Sequence, residues 1–256
     1  MVSPARYASL AALLLTGCGR YFFDEHTDAS ATGDARPCSH TFCDDFDRSG
    51  PPEAGWDTRT TGGPAVGIAT LANDTVVSPP QSLLISVPTD GTNLTGNTFL
   101  HKQLPMATTK VVVHASLSYA TAMTMNTEAD FLQVQWDMLP NGCTDYGFFL
   151  VRDGTKPLNL QETYAGTGVC AGGSVQNTTI DLDNAGFKDL LLEITFGPSG
   201  SARLKLTIEG TSVIDKVATH GIDASTLTFS IGGGISRNGL APWQVRYDDV
   251  WVDIDR

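Results

Sequence analysis

The strongest constraint on this chain is a period of two. Between Lys110 and Tyr119, apolar Val111, Val113, Ala115, Leu117 and Tyr119 alternate with Lys110, His114, Ser116 and Ser118. Such spacing puts the apolar groups on one face of a pleated strand. The pattern recurs: Leu132, Val134, Trp136 and Met138 oppose Gln133, Gln135 and Asp137; Leu190, Leu192, Ile194 and Phe196 oppose Glu193 and Thr195; Leu204, Leu206 and Ile208 oppose Arg203, Lys205 and Thr207. Ser82 to Val87 alternates too. Breaks fall at Gly62-Gly63, Asp90-Gly91, Asn141-Gly142, Asp153-Gly154, Gly172-Gly173, Gly197-Pro198 and Gly232-Gly233-Gly234, which supply turns or bulges. Composition points the same way, with 30 Thr, and 22 Asp against 6 Glu and 6 Lys. Thr suits a pleated surface, whereas Asp competes with helical hydrogen bonds. All-α and doubly wound folds are thereby disfavoured, and about a dozen strands in two stacked antiparallel sheets are predicted, with one short helical turn near Ile222 to Ser225.

The N-terminus has a different character. Arg6 precedes a short apolar run from Ala8 to Leu15, about half a membrane span. Leu15-Thr16-Gly17-Cys18 then resembles the bacterial lipobox, which implies cleavage of residues 1–17 and lipid on Cys18; the plainer alternative is an ordinary signal peptide with an incidental cysteine. Gly19 in place of Asp implies sorting to the outer membrane of a bacterial cell envelope. Residues 18–37, with Asp24, Glu25, Asp28, Asp34 and Pro37, read as a flexible tether ahead of a single domain at 38–256. Setting Cys18 aside leaves Cys38, Cys43, Cys143 and Cys170, an even number suited to an oxidising compartment. Of three connectivities, a tight Cys38–Cys43 loop with Cys143–Cys170 across a hairpin is expected. The net charge of −12 repels phosphate backbones, so nucleic acid is not an expected partner.

Two segments carry a family resemblance. Phe42-Cys43-Asp44-Asp45-Phe46-Asp47-Arg48, followed by Gly55-Trp56, resembles the opening strand of concanavalin A-like (LamG/laminarinase-type) jelly rolls. Val245-Arg246-Tyr247-Asp248-Asp249-Val250-Trp251-Val252 resembles their closing strand, and Pro79-Pro80-Gln81-Ser82-Leu83 is similar to a segment of such domains. The resemblance implies an all-β jelly-roll sandwich of two antiparallel sheets in which the first and last strands pair. It also implies a structural calcium, with Asp248 as a ligand and Asp45 brought near it; no other cofactor is called for.

Function is less constrained, because this fold hosts lectins, glycosidases and adhesion modules alike. Laminarinase-type hydrolysis needs two carboxylates, and the family's catalytic strand carries Glu, Asp two places on, and a second Glu two or three places further. Glu128-Ala129-Asp130-Phe131-Leu132-Gln133 ends in an amide that transfers no proton at neutral pH, so the glycosidase reading loses its acid. The five histidines, at 26, 40, 101, 114 and 220, show no metal-ligand spacing, and His114 reads as a solvated or hydrogen-bonded residue of a polar strand face rather than a catalytic one. No Gly-x-Ser-x-Gly or His-Glu-x-x-His motif is present. A non-catalytic carbohydrate-binding role is expected, with Gln133, Gln135 and Asp137 on one strand face and Tyr146, Tyr164 or Trp243 in nearby loops. Trp56 and Trp251 read equally well as packing residues. The alternative is a protein-interaction or structural envelope lipoprotein.

Overall fold

A computed structural model describes residues 38–63, 66–88, 96–105, 109–119, 128–136, 145–153, 158–165, 172–180, 186–198, 201–218, 227–237 and 242–255. Cys18, the tether, Asp137, Cys143, Cys170 and the turn expected near Ile222 to Ser225 lie outside them. The described residues hold fifteen strands and no α-helix: β1 (Phe42–Asp44), β2 (Thr58–Gly62), β3 (Ile68–Ala72), β4 (Ser82–Val87), β5 (Asn97–Leu104), β6 (Lys110–Tyr119), β7 (Glu128–Trp136), β8 (Asp145–Asp153), β9 (Asn159–Ala165), β10 (Gly172–Asn177), β11 (Lys188–Phe196), β12 (Ala202–Ile208), β13 (Thr211–Val217), β14 (Leu227–Arg237) and β15 (Trp243–Asp255). Every pairing is antiparallel. One sheet runs β13-β12-β11-β6-β15-β4-β3, with β1 added to the end of β15; the other runs β10-β9-β8-β7-β14-β5-β2. The expected pairing of first and last strands is present, with Phe42 opposite Val252 and Asp44 opposite Val250.

The period of two builds the core. In the eight-stranded sheet, β6 and β11 align Val113 with Leu192 and Val111 with Ile194, and β12 adds Leu206 and Leu204 to those rows. Leu100, Leu132, Val134, Phe229 and Ile231 answer from the seven-stranded sheet. Each such side chain taken from water contributes about 1.5–3 kcal/mol. Closing the sandwich also requires bulges that simple alternation conceals. In β15 the register with β6 shifts between Asp248 and Trp251, and Asp249 takes a left-handed φ of 46°. One extra residue reverses the parity: Val245 and Tyr247 face inward before the bulge, Val250 and Val252 after it. Trp251 is thereby turned out of the core, while Trp56 remains buried in it.

A second irregularity lies opposite. Register between β14 and β7 shifts from Ile231 to Gly234, around Phe131. There the buried Tyr247 hydroxyl lies 2.5 Å from the Gly232 carbonyl and 2.9 Å from the Phe131 carbonyl. One phenolic oxygen thus joins β15 of one sheet to both bulged strands of the other. The glycine run serves this junction rather than a turn. A Cβ on Gly233 would come within 2.9 Å of the Trp243 ring and of Val87.

The N-terminal edge is held by a small polar core. Asp44 accepts from the Phe46 amide at 2.8 Å, from Trp56 Nε1 at 2.6 Å, and from the Arg48 guanidinium. Cys38 and Cys43 form the expected disulfide, with Cα atoms 5.8 Å apart.

Candidate functional site

The outer face of the seven-stranded sheet gathers uncharged polar residues. In β7, Leu132 and Val134 belong to the core, which leaves Gln133 and Gln135 on the other face. Register then fixes their neighbours. Gln133 sits opposite Ser230, and Ser230 opposite His101; Gln135 sits opposite Thr228, and Thr228 opposite Gln103. The first row begins at Thr58 on β2 and continues beyond Gln133 to Phe149 and Gln161; the second continues beyond Gln135 to Gly147, Thr163 and Gly173. The two rows lie two residues apart along the strands, about 7 Å. Neither contains a Lys or Arg. Glycine at 147 and 173 leaves the second row without side chains at those positions.

His101 is the one titratable group in these rows. Its Nδ1 lies 2.7 Å from Ser230 Oγ and its Nε2 2.7 Å from Thr60 Oγ1. Burial lowers its pKa, favouring the neutral imidazole. A neutral ring has one donor and one acceptor nitrogen, and the two hydroxyls can complement either tautomer. Next to it Phe99 lies against Gly232 and Gly234, where any Cβ would meet its ring. With Ser230 buried beneath, His101, Gln103, Thr228 and Gln135, all at least partly exposed, present imidazole, amide and hydroxyl groups at set spacings, suited to exchanging hydrogen bonds with a hydroxyl-rich ligand.

Of the residues expected from sequence, Gln133 and Gln135 stand side by side in the rows. Gln133 forms floor rather than open surface, being only 8% exposed, while Gln135 is partly exposed. Tyr146 and Tyr164 occupy strands, not loops. They pair with each other and with Trp136 in the row of Leu227 and Leu104, not in the rows of Gln133 and Gln135. Trp243 also fails as a loop contact: it opens β15, is 1% exposed, and packs with Tyr119 and Phe131 at ring-centroid distances of 5.9 and 5.7 Å. Its apolar ring fills the space left by Gly233. His101, Ser230, Thr60 and Gln103 were missed, although His101 and Gln103 alternate with Leu100 and Leu104 in sequence.

The Glu128-to-Gln133 segment opens β7. Its pairing with β8 shifts between Asp130 and Leu132, and Phe131 joins Leu132 in the core. Asp130 and Gln133, three residues apart, thus share the outer face. The position that a second carboxylate would need is filled by an amide, so this strand supplies no proton donor there.

Around Asp45 and Asp248 the geometry does not fit the calcium cage implied by the resemblance. Asp248 accepts from the Val77 amide at 2.7 Å, the Ser78 amide at 3.2 Å, Ser78 Oγ at 2.8 Å and the Asp249 amide at 2.9 Å. Asp45 accepts from the Asp47 amide. Protein donors thus occupy the Asp248 oxygens that a cation would take. On the same sheet Trp251 stacks between His40 and His114, at 4.2 and 5.1 Å. His114 donates through Nδ1 to the Asp249 carbonyl at 2.8 Å, a hydrogen-bonded role.

No family model and no curated protein matches this chain. Solved structures do. The chain is similar to an endo-β-1,4-glucuronan lyase from the fungus Trichoderma reesei, at 13% identity and a TM-score of 0.60 over 78% of this chain and 92% of that one. It is similar to a glycoside hydrolase family 16 endo-glucanase from Bacteroides ovatus, at 11% identity and a TM-score of 0.58 over 82% and 99%. It is also similar to the cellulose-induced protein Cip1, at 17% identity and a TM-score of 0.52 over 84% and 98%. The fold is therefore the concanavalin A-like jelly roll.

Proposed function

We propose that the outer face of the seven-stranded sheet binds carbohydrate and leaves it chemically unchanged. The observation that carries this reading is the register that aligns His101, Ser230 and Gln133 beside Gln103, Thr228 and Gln135 across β5, β14 and β7. Amide and hydroxyl groups pair naturally with sugar hydroxyls, each being donor and acceptor at once. Solved relatives in fold whose names concern glucuronan, glucan and cellulose support a carbohydrate ligand. Gln133 in place of a carboxylate supports binding without hydrolysis. The leader and Leu15-Thr16-Gly17-Cys18 support a protein tethered through lipid on Cys18 to a bacterial envelope.

A glycan array probed with the purified chain tests the reading. Binding to at least one glycan class is expected, with no reducing ends released from laminarin or lichenan; an array with no signal refutes it. Reducing ends that disappear in Glu128→Gln would replace it with the glycosidase reading. A protein-interaction role has support of its own in the edge strand β3, where Ile68 and nearby Val66 are 54% and 52% exposed. Retention of the array signal after Ile68→Lys separates the two.

A further inference from the structure

We propose that this face selects neutral glycans and rejects uronic-acid polymers. The inference rests on the carbohydrate-binding reading above and adds the chemical class of the ligand. From Thr58 to Val175 and from Gln103 to Gly173 the two rows contain no cation. The nearest lysine in sequence, Lys102, is committed away from them, donating to the Gly55 carbonyl at 2.9 Å and to Asp57 at 3.1 Å. Arg59 on β2 lies 3.6 Å from Glu53. Arg152 on β8 is opposite Ala129 and is in neither row.

Charge matters here because the floor is buried. Ser230 is fully buried and Gln133 nearly so. A carboxylate pressed against them would lose water without gaining a counter-charge, which costs several kcal/mol unless it is paired. The whole chain carries −12, so the longer-range field also opposes an anionic polymer. His101 offers no compensation while its ring is neutral. A sugar bearing only hydroxyls meets none of these costs. From β5 to β9 each row crosses five strands, four spacings of about 4.8 Å, which is room for several sugar units lying across the strands.

Affinity electrophoresis of the full chain in gels containing laminarin, lichenan, polyglucuronate, alginate or carboxyl-reduced polyglucuronate tests the assignment at low salt. Retardation by at least one neutral glucan is expected, with apparent affinity for both uronates weaker by about tenfold or more. Carboxyl reduction of polyglucuronate is expected to raise its affinity. Equal or stronger retardation by the uronates would overturn charge selection while leaving the carbohydrate-binding reading intact. No retardation in any gel would instead defeat that reading, and this inference with it.

Discussion

Tyr247→Phe removes a single oxygen from the interior. That oxygen lies 2.5 Å from the Gly232 carbonyl and 2.9 Å from the Phe131 carbonyl, and the Gly232 amide approaches it at 3.4 Å. It has one proton to give, which the two carbonyls share. Both carbonyls sit where the β7–β14 register shifts, so ladder bonds are interrupted around them. Phenylalanine fills the same ring volume, which makes loss of the polar contact the main change. An unpaired buried acceptor costs about 1–3 kcal/mol, and the space of one hydroxyl is too small to admit a replacing water. For a domain of this size each kcal/mol shifts Tm by about 2–4 °C, so a fall of about 2–12 °C is expected. Urea unfolding checks the assignment, since the midpoint should fall with the m-value unchanged. A variant within about 0.5 kcal/mol of wild type would show that the hydroxyl is not the tie between the sheets.

Gly233→Ala places a methyl group against Trp243, Val87 and Ile85, and overpacking of this kind should cost about 1–3 kcal/mol by denaturant unfolding; an unchanged midpoint would refute the close packing. Burial, opposed by the Gln81 amide and reinforced by Asp45, Asp248 and Asp249, raises the Asp47 carboxyl above its ordinary pKa. The charged form therefore costs stability above the folded-state pKa, and that cost fades as pH falls through it toward the unfolded value near 3.9. Asp47→Asn, which keeps an oxygen for the Gln81 amide, should melt above wild type at pH 7 and lose this advantage as pH falls below about 4; a variant melting lower at pH 7 would reverse the sign. Excess EDTA should leave Tm unchanged, because the Asp248 oxygens are already engaged; a fall restored by calcium but not magnesium would reinstate the cation.

The regular parts of this fold were legible because a one-residue slip would turn an entire apolar row to solvent. Lys110–Tyr119 and the strands around Leu192 and Leu206 follow directly from alternation. The bulge in β15 was not legible, whereas the glycine run at 232–234 reads as a turn or a bulge and is a bulge. Nothing in Tyr247-Asp248-Asp249-Val250 announces that Asp249 adopts positive φ and sends Trp251 outward, and the glycine triplet leaves turn and bulge open until Phe99 and Trp243 are seen packed against it. Gln133 and Gln135 were found from their strand alone. Their partners His101, Ser230, Thr228 and Gln103 come from strands that are distant in sequence, and only register brings them together. Trp243 reads in sequence as a loop aromatic, whereas it opens β15 and its ring fills the space at Gly233.

Isothermal titration of wild type and Gln103→Ala/Gln135→Ala with the neutral glucan that binds best tests the two-row face most directly. Each alanine removes one amide partner from a position that is at least partly exposed, so folding should be retained, as matched melting curves will show. Two hydrogen bonds of about 0.5–1.5 kcal/mol each predict a loss of roughly five- to 150-fold in affinity. Undiminished binding by a folded double variant would place the ligand elsewhere on the molecule and contradict the account.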